Sequence, residues 1–324
     1  MTTTDASPVL HVPARDIPIP RHLSREAQAV LAMDQLEQRE LPALDDLDAW
    51  RALIAARHEA VLAMIAERTS YEAVDVAEID LDGAIVYEIA PKGMADDDRR
   101  VVLELHGGGF ITGGGECCRA LAVKSAESIG VRVWAVDYRM PPDYPFPTPL
   151  DDCVEAYRAL LHEHRAEEII VLGTSSGGNL AAATILRARD EGLPMPAAAV
   201  LLTPEADLTE SGDTFHTNAG VDTMLRGGTP RPLLYARGHD LSHPYVSPLF
   251  GDFAKGFPKT LLASGTRDIY LSNTVRMHRA LRAANVPAEL HVFEAAPHGG
   301  FYGLAPEDQE LTREVRRFMH AHWE

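Results

Sequence analysis

Ile169-Ile170-Val171-Leu172-Gly173-Thr174-Ser175-Ser176-Gly177-Gly178-Asn179 is the stretch on which the reading of this chain turns. Four aliphatic residues in a row end at a glycine, a serine follows two positions later, and a second glycine stands two positions beyond it. A sharp strand-to-helix turn holds a serine in a strained backbone geometry only where bulky side chains are missing two places before and two after it. Gly173 and Gly177 meet that need around Ser175, which makes Ser175 the candidate nucleophile. A second apolar run, Val101-Val102-Leu103-Glu104-Leu105, ends in His106-Gly107-Gly108-Gly109-Phe110. Its glycines leave backbone N–H groups unobstructed, as a tetrahedral oxyanion requires of its surroundings.

Outward from these two runs, the chain from residue 84 onward alternates short apolar runs with helical patterns. Strands are expected at 84–89, 101–105, 131–136, 169–172, 197–202, 260–263 and 288–293. Helices are expected at 117–129, 150–164, 178–190, 272–284 and 307–322. That rhythm predicts a doubly wound α/β order, a mostly parallel sheet with helices on both faces. Two segments break it. Residues 21–67 read as two amphipathic helices, with Trp50, Leu53, Ile54, Val61, Met64 and Ile65 at helical spacing. Residues 205–246 lie between two strands and mix Gly, Pro, His and acidic residues, with helix-like patches at 221–226 and 229–237. Both segments suit a lid over the site, since long insertions in compact domains tend to be functional.

A serine hydroxyl needs a histidine to take its proton and a carboxylate to hold that histidine. On a sheet of this kind both belong after Ser175, acid before base, on loops at strand ends. Asp268, in Gly265-Thr266-Arg267-Asp268-Ile269, and His298, in Pro297-His298-Gly299-Gly300-Phe301, satisfy that order. Among the 14 histidines, His106 is expected to order the glycine loop by hydrogen bonding. His162 with His164, and His320 with His322, stand two apart on helices, share no helix face, and read as solvated surface, with no metal site. His216, His239 and His243 fall in the expected lid. Asp151 and Asp152 suit a helix N-terminus after Pro149. Glu205, after Pro204 at a strand end, stays open as a polar contact to substrate or an alternative acid.

A net charge of -18 across 324 residues argues against nucleic acid and anionic membrane surfaces as partners, and leaves a small molecule. Hydrophobic residues at 46% and charged residues at 24% exclude disordered and fibrous classes. No run of about 18 apolar residues marks a membrane span, and Met1-Thr2-Thr3-Thr4-Asp5-Ala6-Ser7-Pro8 has no basic region before an apolar one, so a cytoplasmic location is expected. The three cysteines imply no disulfide framework: Cys117 and Cys118 are adjacent, and Cys153 stands alone. Cys117, at a possible helix start where its pKa would fall, is a weaker nucleophile candidate because no elbow surrounds it.

The chain resembles the hormone-sensitive lipase family of α/β-hydrolases, in its bacterial esterase branch. The resemblance rests on HGGGF at 106–110, DYRMPPDYPFP at 137–147, GTSSGGNLAAA at 173–183, Ser211-Gly212 after Asp207-Leu208-Thr209, Gly265 to Asp268, and His298 with Gly299, Gly300 and Phe301. It covers nearly everything from about residue 80 onward. It implies an α/β-hydrolase core at 71–204 and 247–324 with a helical cap formed by 1–70 and 205–246. It implies a triad of Ser175, Asp268 and His298, and an oxyanion hole made by the N–H groups of Gly108, Gly109 and Ser176. Two departures bear on substrate preference: Ser176 stands where the family more often has alanine, and Gly299-Gly300 is one residue longer than the commoner His-Gly-Phe. Homodimers are common among similar enzymes.

The expected chemistry is hydrolysis of short- to medium-chain carboxylic esters through an acyl-enzyme, with no metal or organic cofactor and with activity rising through about pH 6 to 7 as the base loses its proton. A lactonase or amidase would share the triad. A small-molecule receptor on the same fold, like the plant gibberellin receptors that resemble this family, would have an incomplete one.

Overall fold

In the central strands successive side chains serve two separate cores, which is why these strands read as unbroken apolar runs. The computed structural model describes residues 9–33, 41–66, 68–95, 97–228 and 230–323. Its eight strands are β1 (Val74–Asp80), β2 (Ile85–Pro91), β3 (Val101–Leu105), β4 (Arg132–Asp137), β5 (Ile169–Thr174), β6 (Ala198–Leu202), β7 (Lys259–Gly265) and β8 (Ala288–Phe293). The helices are α1 (Arg25–Leu31), α2 (Leu47–Ala66), α3 (Glu116–Ile129), α4 (Thr148–Glu163), α5 (Ser176–Asp190), α6 (Thr214–Thr217), α7 (Arg231–Ala236), α8 (Leu271–Ala283) and α9 (Glu307–His322).

The sheet order is β1-β2-β4-β3-β5-β6-β7-β8. Pairing is parallel from β4 through β8, whereas β1 with β2 and β2 with β4 are antiparallel. Leu103, Leu105, Val171 and Leu201 point toward α4, α5 and α8. Val102, Ile170, Leu172 and Val200 point toward α3 and α9. The expected α/β architecture is therefore present, and every strand expected from 84 onward is found to within a residue or two.

The sequence reading missed β1. It is an edge strand reading Val-Asp-Val-Ala-Glu-Ile-Asp, mostly solvent-facing, so its apolar content is too low to mark it as a core run. The expected helix at 221–226 is also absent: this stretch is turns and bends. Asp222 accepts hydrogen bonds from the N–H groups of Met224 and Leu225 at 2.9 and 3.3 Å, a local bonding pattern that competes with helix. The patch at 229–237 contracts to α7, bounded by Pro230 and by Arg237 at a left-handed φ of 47°; Thr229 lies outside the described residues.

The two helices expected at 21–67 form as α1 and α2; residues 34–40 and Glu67 between and after them lie outside the described residues. In α1, Ala27, Val30 and Leu31 pack on Ala295, Ala296 and Phe301, which flank His298 in the chain. In α2, Trp50 is buried against Ile111, just past the glycine loop, and Leu234 of α7. Met64, by contrast, is largely exposed. Among the described residues no helix is long and apolar enough to cross a membrane.

Candidate active site

Ser175 sits at the junction of β5 and α5 with φ 59° and ψ -122°, a conformation that costs a non-glycine residue roughly 1–3 kcal/mol. The surroundings impose it. The N–H of Ser175 donates to the carbonyl of Leu202 at 2.9 Å, and its own carbonyl accepts from Glu205 at 3.1 Å. The flanking glycines are required by close approach: a Cβ on Gly177 would lie 1.9 Å from the carbonyl oxygen of Leu105, and one on Gly173 would lie 2.1 Å from that of Gly177. The turn after β5 is thus pressed against the end of β3, which carries the glycine loop.

Parallel pairing of β5, β6, β7 and β8 brings the loops at their C-terminal ends to one edge of the sheet. The Ser175 hydroxyl donates to His298 Nε2 at 2.9 Å, and His298 Nδ1 donates to Asp268 Oδ1 at 3.1 Å. Asp268 is fully buried. Its Oδ1 also accepts from the Tyr270 N–H at 2.8 Å, and its Oδ2 accepts from the Ser264 hydroxyl at 2.6 Å. Burial opposes the charged form of the His298 imidazole, but Asp268, then Asp222 and Glu205, outweigh it and raise its pKa above the ordinary value. The ring of Tyr270 stands edge-on to that of His298, with centroids 4.9 Å apart.

The N–H of Ser176 opens α5, so it has no partner within the helix and lies at the positive end of the helix dipole. Among the described residues, none of the N–H groups of Gly108, Gly109 and Ser176 has an acceptor within the chain. The side chain of Arg231 lies against Gly109, where a Cβ would meet its Nη1 at 2.6 Å. The loop is held by its flanks. Tyr138 donates its hydroxyl to the carbonyl of His106 at 2.7 Å and stacks on the His106 ring, while Phe110 stacks on Tyr235 of α7 at 4.0 Å.

Neither departure from the family pattern obstructs the site. Ser176 is fully buried, its hydroxyl lying toward Tyr138. The extra glycine is absorbed by φ values of 78° and 71° at Gly299 and Gly300, so that Phe301 is buried and its N–H donates to Asp308 at 2.8 Å.

The remaining candidates are placed elsewhere. His106 donates from Nδ1 to the carbonyl of Gly107 at 2.9 Å, an ordering role. His164 is not solvated as expected: it is buried and bonded to the carbonyl of Arg99 at 2.8 Å; His322 is half-buried against Phe318, whereas His162 and His320 are exposed. His239 and His243 pack on Phe146, and His216 is exposed. Asp152 is buried and ion-paired with Arg139 at 2.6 Å, and Asp151 pairs with Arg187. Cys117 does begin a helix, yet burial raises its pKa rather than lowering it. Glu205 is buried beside the site with Arg231, Tyr270 and His298 as its charged and polar neighbours; the position facing His298 Nδ1 belongs to Asp268. Among the described residues no three His, Cys, Asp or Glu side chains converge as a metal site. A cleft of about 650 Å³ lies beside the glycine loop, between α2 and residues 137–144, and none of Ser175, Asp268 and His298 lines it.

One group in the site was not anticipated. Asp222 is fully buried, accepts from the N–H of Ile269 at 2.9 Å, and stands 3.3 Å from the N–H of His298. Its only signal in the sequence is an acidic residue in an apolar stretch, Val221-Asp222-Thr223-Met224-Leu225.

Residues 102–302 match the family model of the α/β-hydrolase fold. An acetyl-hydrolase of Streptomyces hygroscopicus is 35% identical over 230 residues, 69% of this chain and 77% of that protein. An esterase of Acinetobacter venetianus is 30% identical over 254 residues, 76% of this chain and 82% of that protein. Among solved structures, esterase E25 superposes with a TM-score of 0.86 at 33% identity, covering 98% of this chain and 99% of that one. An esterase described as a member of the bacterial hormone-sensitive lipase family gives 0.80 at 28% identity, covering 93% and 99%. With these likenesses spanning both the glycine loop and the serine elbow, the chain belongs to the α/β-hydrolases, in the bacterial hormone-sensitive lipase family.

Proposed function

We propose that this chain is a serine carboxylesterase that hydrolyses short- to medium-chain carboxylic esters through an acyl-enzyme. The observation that carries the reading is the unbroken chain of hydrogen bonds from Ser175 through His298 to Asp268, with bond lengths of 2.9 and 3.1 Å. His298 Nε2 takes the hydroxyl proton as Ser175 Oγ attacks the ester carbonyl. Asp268 stabilises the imidazolium and keeps Nδ1 protonated, so Nε2 is the basic nitrogen. The N–H groups of Gly108, Gly109 and Ser176 receive the oxyanion. His298 then protonates the leaving alcohol, and water repeats the sequence on the acyl group.

Carboxylesterase activity in general is supported by the names of the relatives, and the acetyl-hydrolase among them favours a short acyl group. The described parts of 1–70 and 205–246 form the cap in this reading, with α2 and α7 beside the glycine loop. A complete triad speaks against a non-catalytic receptor. The test is a rate series on p-nitrophenyl esters from acetate to palmitate, run beside Ser175→Ala. Hydrolysis strongest at short or middle lengths and abolished in the variant is expected; a folded protein inert on all of them, yet active on lactones or amides, overturns the ester assignment.

A further inference from the structure

The stretch from residue 213 to 225 does more than lie near the site. Asn218 Nδ2 donates to the carbonyls of Thr266 and Asp268 at 3.2 and 2.8 Å, and the hydroxyl of Thr214 donates to the carbonyl of Ile269 at 2.7 Å. Toward its end, Asp222 Oδ2 accepts from Ile269 at 2.9 Å and from His298 at 3.3 Å, while Oδ1 accepts from Met224 at 2.9 Å and lies 3.4 Å from the same His298 N–H. Ile269 follows the acid, and His298 is the base. One buried carboxylate therefore joins two loops that come from different strands. Carboxylates are costly to bury, and burial does push the Asp222 carboxyl above its ordinary range while nearby His298 draws it back. A neutral acceptor would serve a mere loop staple at lower cost.

We propose that Asp222 is a positioning residue for the reaction: it holds the backbone of the base against that of the acid, and it lends a second negative charge to the imidazolium formed when the Ser175 proton moves to His298 Nε2. This rests on Ser175, Asp268 and His298 being the reacting groups. The groups facing His298 are Asp268 from the loop after β7, Asp222 from the 213–225 stretch, Glu205 from the loop after β6, the Tyr270 ring and Ser175. Tyr302 lies near Asp222 and Asp268, with its hydroxyl 3.2 Å from that of Thr223.

The experiment compares Asp222→Asn, Asp222→Glu and Thr223→Ala with the unaltered full chain. A fluorophosphonate labels Ser175, with Ser175→Ala as blank, and NMR follows the His298 imidazole from about pH 5 to about pH 9. In Asp222→Asn the His298 midpoint is expected to fall by about half to one pH unit. Labelling should slow at least tenfold, and kcat on p-nitrophenyl butyrate should fall with KM unchanged. Asp222→Glu should keep the midpoint but label more slowly, and Thr223→Ala should match the unaltered protein. An Asp222→Asn protein whose midpoint and labelling rate both match the unaltered chain overturns the proposal. If that variant does not fold, Asp222→Glu labelling at the unaltered rate overturns it equally. Should the unaltered protein neither label nor turn over esters, the esterase reading fails instead, and the NMR midpoint still reports on Asp222.

Discussion

Ser264 donates its hydroxyl to Asp268 Oδ2 at 2.6 Å, on the carboxylate oxygen opposite the one that faces His298 at 3.1 Å. With the Tyr270 N–H also on Oδ1, the carboxylate cannot rotate without breaking a bond, and the imidazole is aimed by a group that is itself aimed. Asp268→Asn should leave the fold intact but present an amide where Nδ1–H needs an acceptor, or turn the ring to its wrong tautomer. A fall in kcat on the order of 10³ to 10⁴ is expected. Loss below tenfold, measured on p-nitrophenyl acetate, would point to a different acid.

The pH profile follows from the sign of the His298 shift. As the proposed base, His298 works neutral, and its carboxylate neighbours raise its pKa above the ordinary histidine value of 6.5. The acidic limb of kcat/KM should therefore be centred above about 6.5 rather than below it, with activity rising through neutrality. A limb centred near pH 5 would exclude His298 as the titrating group.

Glu104 offers a stability test remote from the chemistry. It points from β3 into the α3 side of the sheet, accepts from Ser125 at 2.7 Å, and is pushed by burial from 4.5 to about 7. Because the folded-state value lies above the unfolded one, folding retains a proton between them. Stability is therefore lost as pH rises from about 4.5 to about 7, and stays reduced above that. Glu104→Gln should gain about 2 to 3 kcal/mol at pH 8 and almost nothing at pH 4. Urea melts at both pH values check this; an equal change at the two would refute it.

Gly177→Ala tests the elbow. Its Cβ would meet backbone oxygen, the least yielding kind of neighbour, 1.9 Å from Leu105 O. Relief requires β3 and α5 to separate, so a loss of several kcal/mol and a large drop in the thermal midpoint are expected. Calorimetry reads the outcome, and a midpoint within a degree or two of the unaltered protein's would show that the turn can open freely.

Much of the site was legible because its determinants are local. The serine elbow is announced by two glycines within five residues, and the candidate acid and base each follow a strand long enough to recognise by its apolar run. The partners of a residue such as His164 were not legible: a helix-borne histidine in a polar stretch looks solvated, and only packing places it under Arg99. The edge strand β1 escaped for the opposite reason, since a strand half exposed to water needs few apolar residues.

The parallel sheet, the serine elbow and the acid-before-base order of the candidates are legible within single segments, because strain, strand burial and loop position are written in residues adjacent along the chain. The distant partners of Asp222 emerge only in the folded chain. Besides the nearby Met224 and Leu225, two of its hydrogen-bond donors stand 47 and 76 residues away, at Ile269 and His298, and no pattern within a single segment records which distant N–H groups will be left needing an acceptor. The same holds for α1, whose apolar face could have covered any surface; it packs against the loop of His298, and there Ser24 meets the carboxylate of Glu307 at the start of α9. Local sterics can be read residue by residue, whereas the pairing of buried polar groups is settled only when the whole chain has closed around them.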